Sequence, residues 1–138
     1  MRRPLLLLSA AAALIAAVPL LAVAQSAKPA LYTADQATAG AAVYSQACAA
    51  CHGAQLEGVA APALKGANFG EMATAQSLTV DALLDVIANT MPQSDPGSLK
   101  PDDYAAVTAY ILQQNGYPAG NTALAKTAAG LKDAKVTP

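Results

Sequence analysis

The sequence predicts an all-α domain with three main helices joined by long irregular segments. Apolar residues recur at helical spacing in the segments 33–53, 79–90 and 100–116. No stretch of useful length alternates polar and apolar residues, which is the pattern of a half-buried strand. The chain has 138 residues, a length typical of a single domain.

The N terminus has the features of a secretory signal peptide over residues 1–24. MRR supplies a positive start, an uncharged apolar run follows, and AVA at 22–24 is typical of a cleavage site. We therefore expect export to the periplasm and a mature chain without a membrane span. The alternative is an uncleaved leader that anchors the protein to a membrane. A connector (25–32), the domain (33–120) and a tail (121–138) ordered only in part complete the predicted organisation.

The composition beyond the leader argues against nucleic acid as a partner and indicates that the aromatic core is thin. Six lysines and no arginine stand against nine acidic residues, a formal charge of −3. Such a chain offers no basic surface for nucleic acid. With one phenylalanine and no tryptophan, the aromatic core is thin for a small domain that must fold alone. The composition therefore favours a bound group that fills the centre.

The first helix is predicted to begin after Thr33, because Gln36 three residues later completes a capping box. The alanine-rich run that follows is a good helix former, and the helix is predicted to end around Cys48 to His52, with Gly53 as the stop. Its predicted buried face consists of Gly40, Val43, Tyr44 and Ala47.

Residues 54–77 are predicted to form a loop, with three glycines, a proline and isolated apolar side chains. A loop of this length is usually functional or wraps around something. The second helix is predicted to follow the capping residue Thr79 and to stop before the proline-rich turn 91–99. Its apolar bulk comes from Leu83, Leu84, Val86 and Ile87.

The third helix is predicted to begin at Pro101, which suits the first helical position. Asp102 and Asp103 are favourable in its first turn, and Gly116 is predicted to end it. Its predicted buried face consists of Tyr104, Val107 and Ile111, with Tyr110 beside them.

Both cysteines and the only histidine of the chain lie in one pentad, Cys48-x-x-Cys51-His52. This spacing is the attachment signature of c-type haem, because each thiol can add to one vinyl group and His52 can then bind the iron. A thioredoxin-like redox pair would require a βαβ pattern, and a zinc site would require four ligands. The pentad therefore predicts one covalently bound haem c, which also supplies the missing core.

The second axial ligand decides between electron transfer and ligand binding. With no second histidine, the candidates are Met72 and Met91. We predict Met91, because it lies in the proline-rich turn, far in sequence from His52, and Pro92 stiffens that turn. Met72 is predicted to fill the core. Ligation by histidine and methionine raises the reduction potential.

The chain resembles the class I c-type cytochromes. The resemblance is carried by GAAVYSQACAACHG, PALKG, TMPQSDPGSL and YAAVTAYILQQNGYPAG. It implies a cytochrome c-like fold wrapped around the haem, in which the first and last helices cross at Gly40. It also implies that the carbonyl of Pro62 accepts a hydrogen bond from the His52 ring and that Leu64 lines the haem pocket. Two departures are the absence of a tryptophan from the 54–77 loop and Lys100 before the third helix.

Within this family, the combination of TMP, PGSL, AYIL and NGYPAG resembles small bacterial monohaem cytochromes found beside quinoprotein dehydrogenases. We therefore predict a periplasmic one-electron carrier rather than an enzyme, with a quinoprotein dehydrogenase as donor and an oxidase or another cytochrome as acceptor. Its acidity favours a basic or neutral partner surface. Two alternatives remain: a haem with a labile sixth ligand, of gas-binding or peroxidase-like type, and a fixed subunit of a dehydrogenase complex.

Overall fold

The computed structural model describes residues 28–125 and 130–137. Over these residues the chain folds into α1 (Ala34–Ala47), α2 (Ala49–His52), α3 (Gly66–Ala75), α4 (Val80–Thr90) and α5 (Pro101–Gln114). The all-α prediction is confirmed; the described part adds only an isolated bridge between Thr79 and Lys135. The predicted leader lies outside the described residues. None of the helices that are described has the length and apolar character needed to cross a bilayer.

The starts of α1 and α4 follow from threonine caps. The Thr33 hydroxyl accepts a 3.2 Å hydrogen bond from the Gln36 N–H, and the Thr79 hydroxyl accepts one of the same length from the Ala82 N–H. The first predicted helix is divided, because Cys48 leaves the helical region at φ −124° and ψ −36°. Cys48 therefore lies between the two helices, whereas Cys51 and His52 lie in α2.

The segment 54–77 differs from the prediction because it contains the ten-residue helix α3. Gly66 and Gly70 lower the local helix propensity, which hides this helix from a sequence pattern. Phe69, Gly70 and Ala73 are buried, so packing of this face stabilises a helix that propensity alone does not predict. The irregular segment is therefore 54–65.

The α1–α5 crossing is close enough to require glycine. A Cβ atom at Gly40 would lie 1.9 Å from the carbonyl oxygen of Ala106, well inside contact distance. Beside this crossing the rings of Tyr44 and Tyr110 pack with centroids 5.4 Å apart and a tilt of 54°. The close approach packs α5 against α1, and most α5 residues from Tyr104 to Leu112 are buried.

The α4 prediction needs one correction. Of the four residues predicted to supply its apolar bulk, Leu83, Leu84 and Ile87 are buried, but Val86 is 52% exposed because it lies outside the buried stripe of the helix. At the end of α5 the cap residue is Asn115, and Gly116 follows it with a φ of +78°. Glycine after the cap is the usual way for a helix to end in the left-handed region.

The C-terminal tail packs onto the domain where it is described. Leu124, Leu131 and Val136 are all buried. The N–H of Val80 donates to the carbonyl of Ala134 at 2.9 Å, so the tail caps the N-terminal end of α4. The tail therefore contributes apolar side chains to the core.

The connector and the tail meet at the C-terminal end of α5. The Lys28 ammonium donates to the carbonyls of Asn115 at 2.8 Å and Thr137 at 3.0 Å, and lies 4.9 Å from the centre of the Tyr117 ring. Desolvation lowers the pKa of Lys28. The Tyr117 hydroxyl donates to the Lys135 carbonyl at 2.7 Å and accepts from the Thr137 N–H at 2.9 Å.

Candidate functional site

The two cysteines lie on either side of the start of α2. Cys48 ends α1 and is half-buried, whereas Cys51 is exposed near the end of α2. Both thiols are free, and burial raises the pKa of the Cys48 thiol. Covalent haem attachment requires two reduced thiols three positions apart, because each adds to one vinyl group of the porphyrin.

The irregular segment after the pentad folds back onto α2. The carbonyl of Cys51 accepts hydrogen bonds from the N–H groups of Val59, Ala60 and Ala61 at 3.2, 2.9 and 3.0 Å. The carbonyl of His52 accepts one from Gly58 at 2.7 Å. The end of α2 is thus held by the following segment, which compensates for the shortness of a four-residue helix.

The protonation of His52 follows from its contact with Pro62. Nδ1 of the buried His52 ring lies 2.8 Å from the Pro62 carbonyl oxygen. A carbonyl only accepts, so Nδ1 carries the proton and donates it in this hydrogen bond. In the neutral ring Nε2 then carries the lone pair that can bind a metal, and the contact fixes the orientation of the ring.

Tyr44 fixes the backbone on the other side of His52, a role that sequence reasoning missed. The Tyr44 hydroxyl donates to the Gly53 carbonyl at 2.7 Å, and its side chain is buried. Burial, with smaller contributions from Cys48, Tyr110 and Glu57, raises the pKa of Tyr44 to about 12. The pattern placed Tyr44 on the buried face but carried no signal for the partner of its hydroxyl.

The conformation of Gly53 explains why glycine follows the histidine. Its φ of +83° and ψ of 149° are nearly restricted to glycine. A Cβ atom there would also lie 2.3 Å from a carboxylate oxygen of Glu57. That carboxylate accepts from the Gln55 N–H at 2.6 Å, which holds it in the turn.

Met91 lies at the C-terminal end of α4 and is half-buried. Its N–H donates to the Ile87 carbonyl at 3.1 Å, and its carbonyl accepts from the Tyr104 hydroxyl at 2.8 Å. Met72 lies on α3 instead. The backbone of Met91 is therefore attached to both α4 and α5.

Leu64 is held at the opposite end of α5. Its N–H donates to the Leu56 carbonyl at 2.9 Å, and its carbonyl accepts from the Asn115 side-chain amide at 2.9 Å. Asn115 is a second residue that the sequence analysis missed, since an amide just after a helix is common and does not identify its acceptor.

The described residues fit a covalent haem better than the alternatives. Several apolar side chains pack against the core yet stay partly exposed: Cys48, Leu64, Met72, Met91 and Leu99. A flat apolar group such as a porphyrin can cover the exposed parts of these side chains. In the part of the chain that the structure describes, no three His, Cys, Asp or Glu side chains gather as a metal site, so a zinc site built from these side chains has no support.

Comparison with protein families gives a match over residues 35–111 to the family described as cytochrome C oxidase, cbb3-type, subunit III. No curated protein sequence matches the chain. Among solved structures, the chain is similar to a chain of the sulfane dehydrogenase SoxCD from Paracoccus pantotrophus. The identity is 22% and the TM-score 0.54, over 84% of this chain and 68% of that one, which supports the fold.

A second similar structure is the thiosulfate dehydrogenase TsdBA from Marichromatium purpuratum in its as-isolated form. The identity is 32%, over 62% of this chain but only 20% of that one. The TM-score of 0.43 is too low to carry an argument about the fold.

Proposed function

Because the chain belongs to the family described as cytochrome C oxidase, cbb3-type, subunit III, and is a class I c-type cytochrome with covalently bound haem c, we propose that it is an exported one-electron carrier with His52 and Met91 as axial ligands. The observation that carries this proposal is the His52–Pro62 contact beside two free thiols at the attachment spacing. The bound haem supplies one-electron exchange between Fe(III) and Fe(II).

On the proximal side, Cys48 and Cys51 would hold the porphyrin through thioethers, and His52 would bind the iron through Nε2. The hydrogen bond from Nδ1 to the Pro62 carbonyl keeps the ring in one tautomer and one orientation. The segment that closes onto the Cys51 carbonyl limits movement of α2. A proximal ligand held in this way favours electron transfer, because ligation need not change between oxidation states.

On the distal side, we propose Met91 rather than Met72 as the ligand. Met91 lies where α4 ends, and its N–H and carbonyl are both hydrogen-bonded to helical elements. Its side chain remains partly exposed among apolar neighbours, as a side chain that faces a cofactor would. Met72 is also partly buried, but α3 carries it with Phe69 and Ala73 as part of a packed helix.

The charges of the chain favour docking to other redox proteins. Beyond the predicted leader the chain carries a formal charge of −3, so its partners should present basic or neutral surfaces. Asp102 and Asp103 lie in the first turn of α5, where favourable helix electrostatics accounts for them without a role in acid–base chemistry. We propose a dehydrogenase as donor and an oxidase or cytochrome as acceptor.

The distal ligand is tested by comparing Met91→Leu with Met72→Leu in the haem-loaded protein. Both substitutions conserve volume, so each is expected to cost less than about 1.5 kcal/mol in packing. We expect the near-infrared band of ferric iron–thioether ligation in the wild type and in Met72→Leu. Met91→Leu should lose the band and bind carbon monoxide in its ferrous form.

Two results would contradict the proposal. If the wild-type protein lacks the near-infrared band and binds carbon monoxide readily, its sixth coordination position is open and it is not a simple electron carrier. If only Met72→Leu loses the band, the distal ligand is Met72 and not Met91. The intact mass of the protein from the periplasm then reports both the attached haem and the cleavage of the leader.

A further inference from the structure

We propose that Tyr104 is a positioning residue for Met91, an inference that rests on the proposed role of Met91 as the distal ligand. The Tyr104 hydroxyl lies between the two ends of the turn 91–99. It donates to the Met91 carbonyl at 2.8 Å and accepts from the Leu99 N–H at 3.2 Å. One hydroxyl therefore closes the turn that carries the proposed ligand.

Tyr104 is itself held firmly in α5. Its side chain is 4% exposed, and its N–H donates to the Lys100 carbonyl at 3.1 Å. Its carbonyl accepts from the Thr108 hydroxyl at 2.9 Å, and Thr108 is fully buried. Because the ring is buried and the backbone is helical, the helix determines the position of the hydroxyl.

Apart from the Met91 N–H, which donates to Ile87 in α4, the other hydrogen bonds described in this turn lie within it. The Asp95 N–H donates to the Pro92 carbonyl at 2.9 Å, and the Ser98 N–H donates to the Asp95 carbonyl at 3.3 Å. Residues 93–98 are exposed. These bonds shape the turn, whereas the Tyr104 hydroxyl ties both of its ends to α5.

Removal of the hydroxyl should weaken Met91 ligation without removing it. Tyr104→Phe keeps the buried ring but leaves the Met91 carbonyl and the Leu99 N–H without this partner. We expect the ferric protein to bind added imidazole, which competes with the thioether, about ten-fold more tightly than the wild type. The near-infrared thioether band should decrease at imidazole concentrations that leave the wild type unchanged.

Tyr117→Phe is the matched control. The Tyr117 hydroxyl also donates to a carbonyl and accepts from an amide, those of Lys135 and Thr137, but within the C-terminal tail. Both variants lose the same kind of bridge, so a general loss of stability affects both. We expect the imidazole affinity of Tyr117→Phe to equal that of the wild type.

The outcomes separate this inference from the proposed function. Equal imidazole affinity in Tyr104→Phe and the wild type would overturn the positioning role and leave Met91 ligation intact. Absence of the band from the wild type would overturn Met91 ligation and the inference with it. Hydrogen exchange in the wild type needs no variant: the Leu99 amide should exchange slowly, and exchange as fast as that of the exposed Gly97 would refute the bridge.

Discussion

The Tyr44 hydroxyl donates a 2.7 Å hydrogen bond to the Gly53 carbonyl and so joins α1 to the residue directly after His52. On α5 the Tyr104 hydroxyl makes the corresponding bond to Met91. The two helices that cross at Gly40 thus each fix the backbone beside one proposed axial ligand. We therefore expect substitutions at the crossing to affect the haem site.

Gly40→Ala should destabilise the protein, although alanine is the better helix former. The added Cβ would lie 1.9 Å from the Ala106 carbonyl oxygen, so α1 and α5 must separate. We expect the free energy of unfolding to fall by about 1–3 kcal/mol, measured by urea titration. For comparison, Ala39→Gly on the exposed face should cost about 1 kcal/mol through propensity alone. A more stable Gly40→Ala protein would show that the crossing tolerates a methyl group.

Tyr44 should make the stability depend on pH at alkaline values. Its pKa is about 12 in the fold against 10.0 for an ordinary tyrosine, chiefly because of burial. The unfolded chain therefore loses its proton first, and the stability from this group is complete below pH 10 and lost as the pH rises towards about 12. Thioether formation stops ionisation at Cys48 and leaves the burial contribution in place.

Tyr44→Phe tests this pH dependence. Between about pH 9 and about pH 11, the free energy of unfolding should fall more in the wild type than in Tyr44→Phe. Equal losses would mean that Tyr44 ionises in the fold as readily as in the unfolded chain.

Gly53→Ala should disturb both the stability and the haem site. The backbone conformation of Gly53 costs about 1–3 kcal/mol for a residue with a side chain. The added Cβ would also meet the Glu57 carboxylate at 2.3 Å. We expect a lower unfolding free energy and a shifted haem absorption spectrum.

Gly116→Ala is a control that introduces backbone strain without a new contact. Gly116 also has a positive φ, but nothing lies within 4 Å of its Cβ position. It should lose stability through strain while its spectrum stays unchanged. Adding Glu57→Ala to Gly53→Ala should restore only the part of the loss that comes from the contact. If the double variant recovers nothing, strain alone explains the effect.

Leu131→Ala should weaken the fold without altering the haem spectrum. The side chain is 1% exposed, and its loss should lower the free energy of unfolding by about 2–5 kcal/mol. Lys132→Ala, at the exposed neighbouring position, should stay within about 0.5 kcal/mol of the wild type. Thermal unfolding followed by circular dichroism measures both, and similar values for the two variants would argue against a packed tail.

The helices that carry strong local signals were predictable from the sequence. Thr33 and Thr79 cap α1 and α4 as their sequence contexts indicate, and Pro101 begins α5. The close contact at Gly40 agrees with the resemblance, which is a stronger guide than propensity at such a position. The helix α3 was missed because its stability comes from burial of Phe69 and Ala73, and such tertiary packing leaves little trace in local propensity.

The chemistry of the candidate site was predictable from the sequence, but the hydrogen bonds that position its residues were predictable only in part. The pentad predicts haem attachment, since neither a thioredoxin-like redox pair nor a zinc site accounts for both thiols together with the sole imidazole. The hydroxyl partners of Tyr44 and Tyr104 were not predictable, because a buried tyrosine selects its acceptor through three-dimensional proximity. The axial role of Met91 stays a prediction until its ligation is measured.

The contact of Lys28 with the Thr137 carbonyl has a consequence for how the chain can be rearranged. The two residues lie 109 positions apart in sequence, yet the Lys28 ammonium reaches that carbonyl at 3.0 Å. The two backbones are therefore separated by little more than the reach of one lysine side chain, which a short glycine-rich linker can span. A circular permutant opened within the exposed stretch 93–98 should then fold around the same core, at the cost of the covalent continuity between α4 and α5.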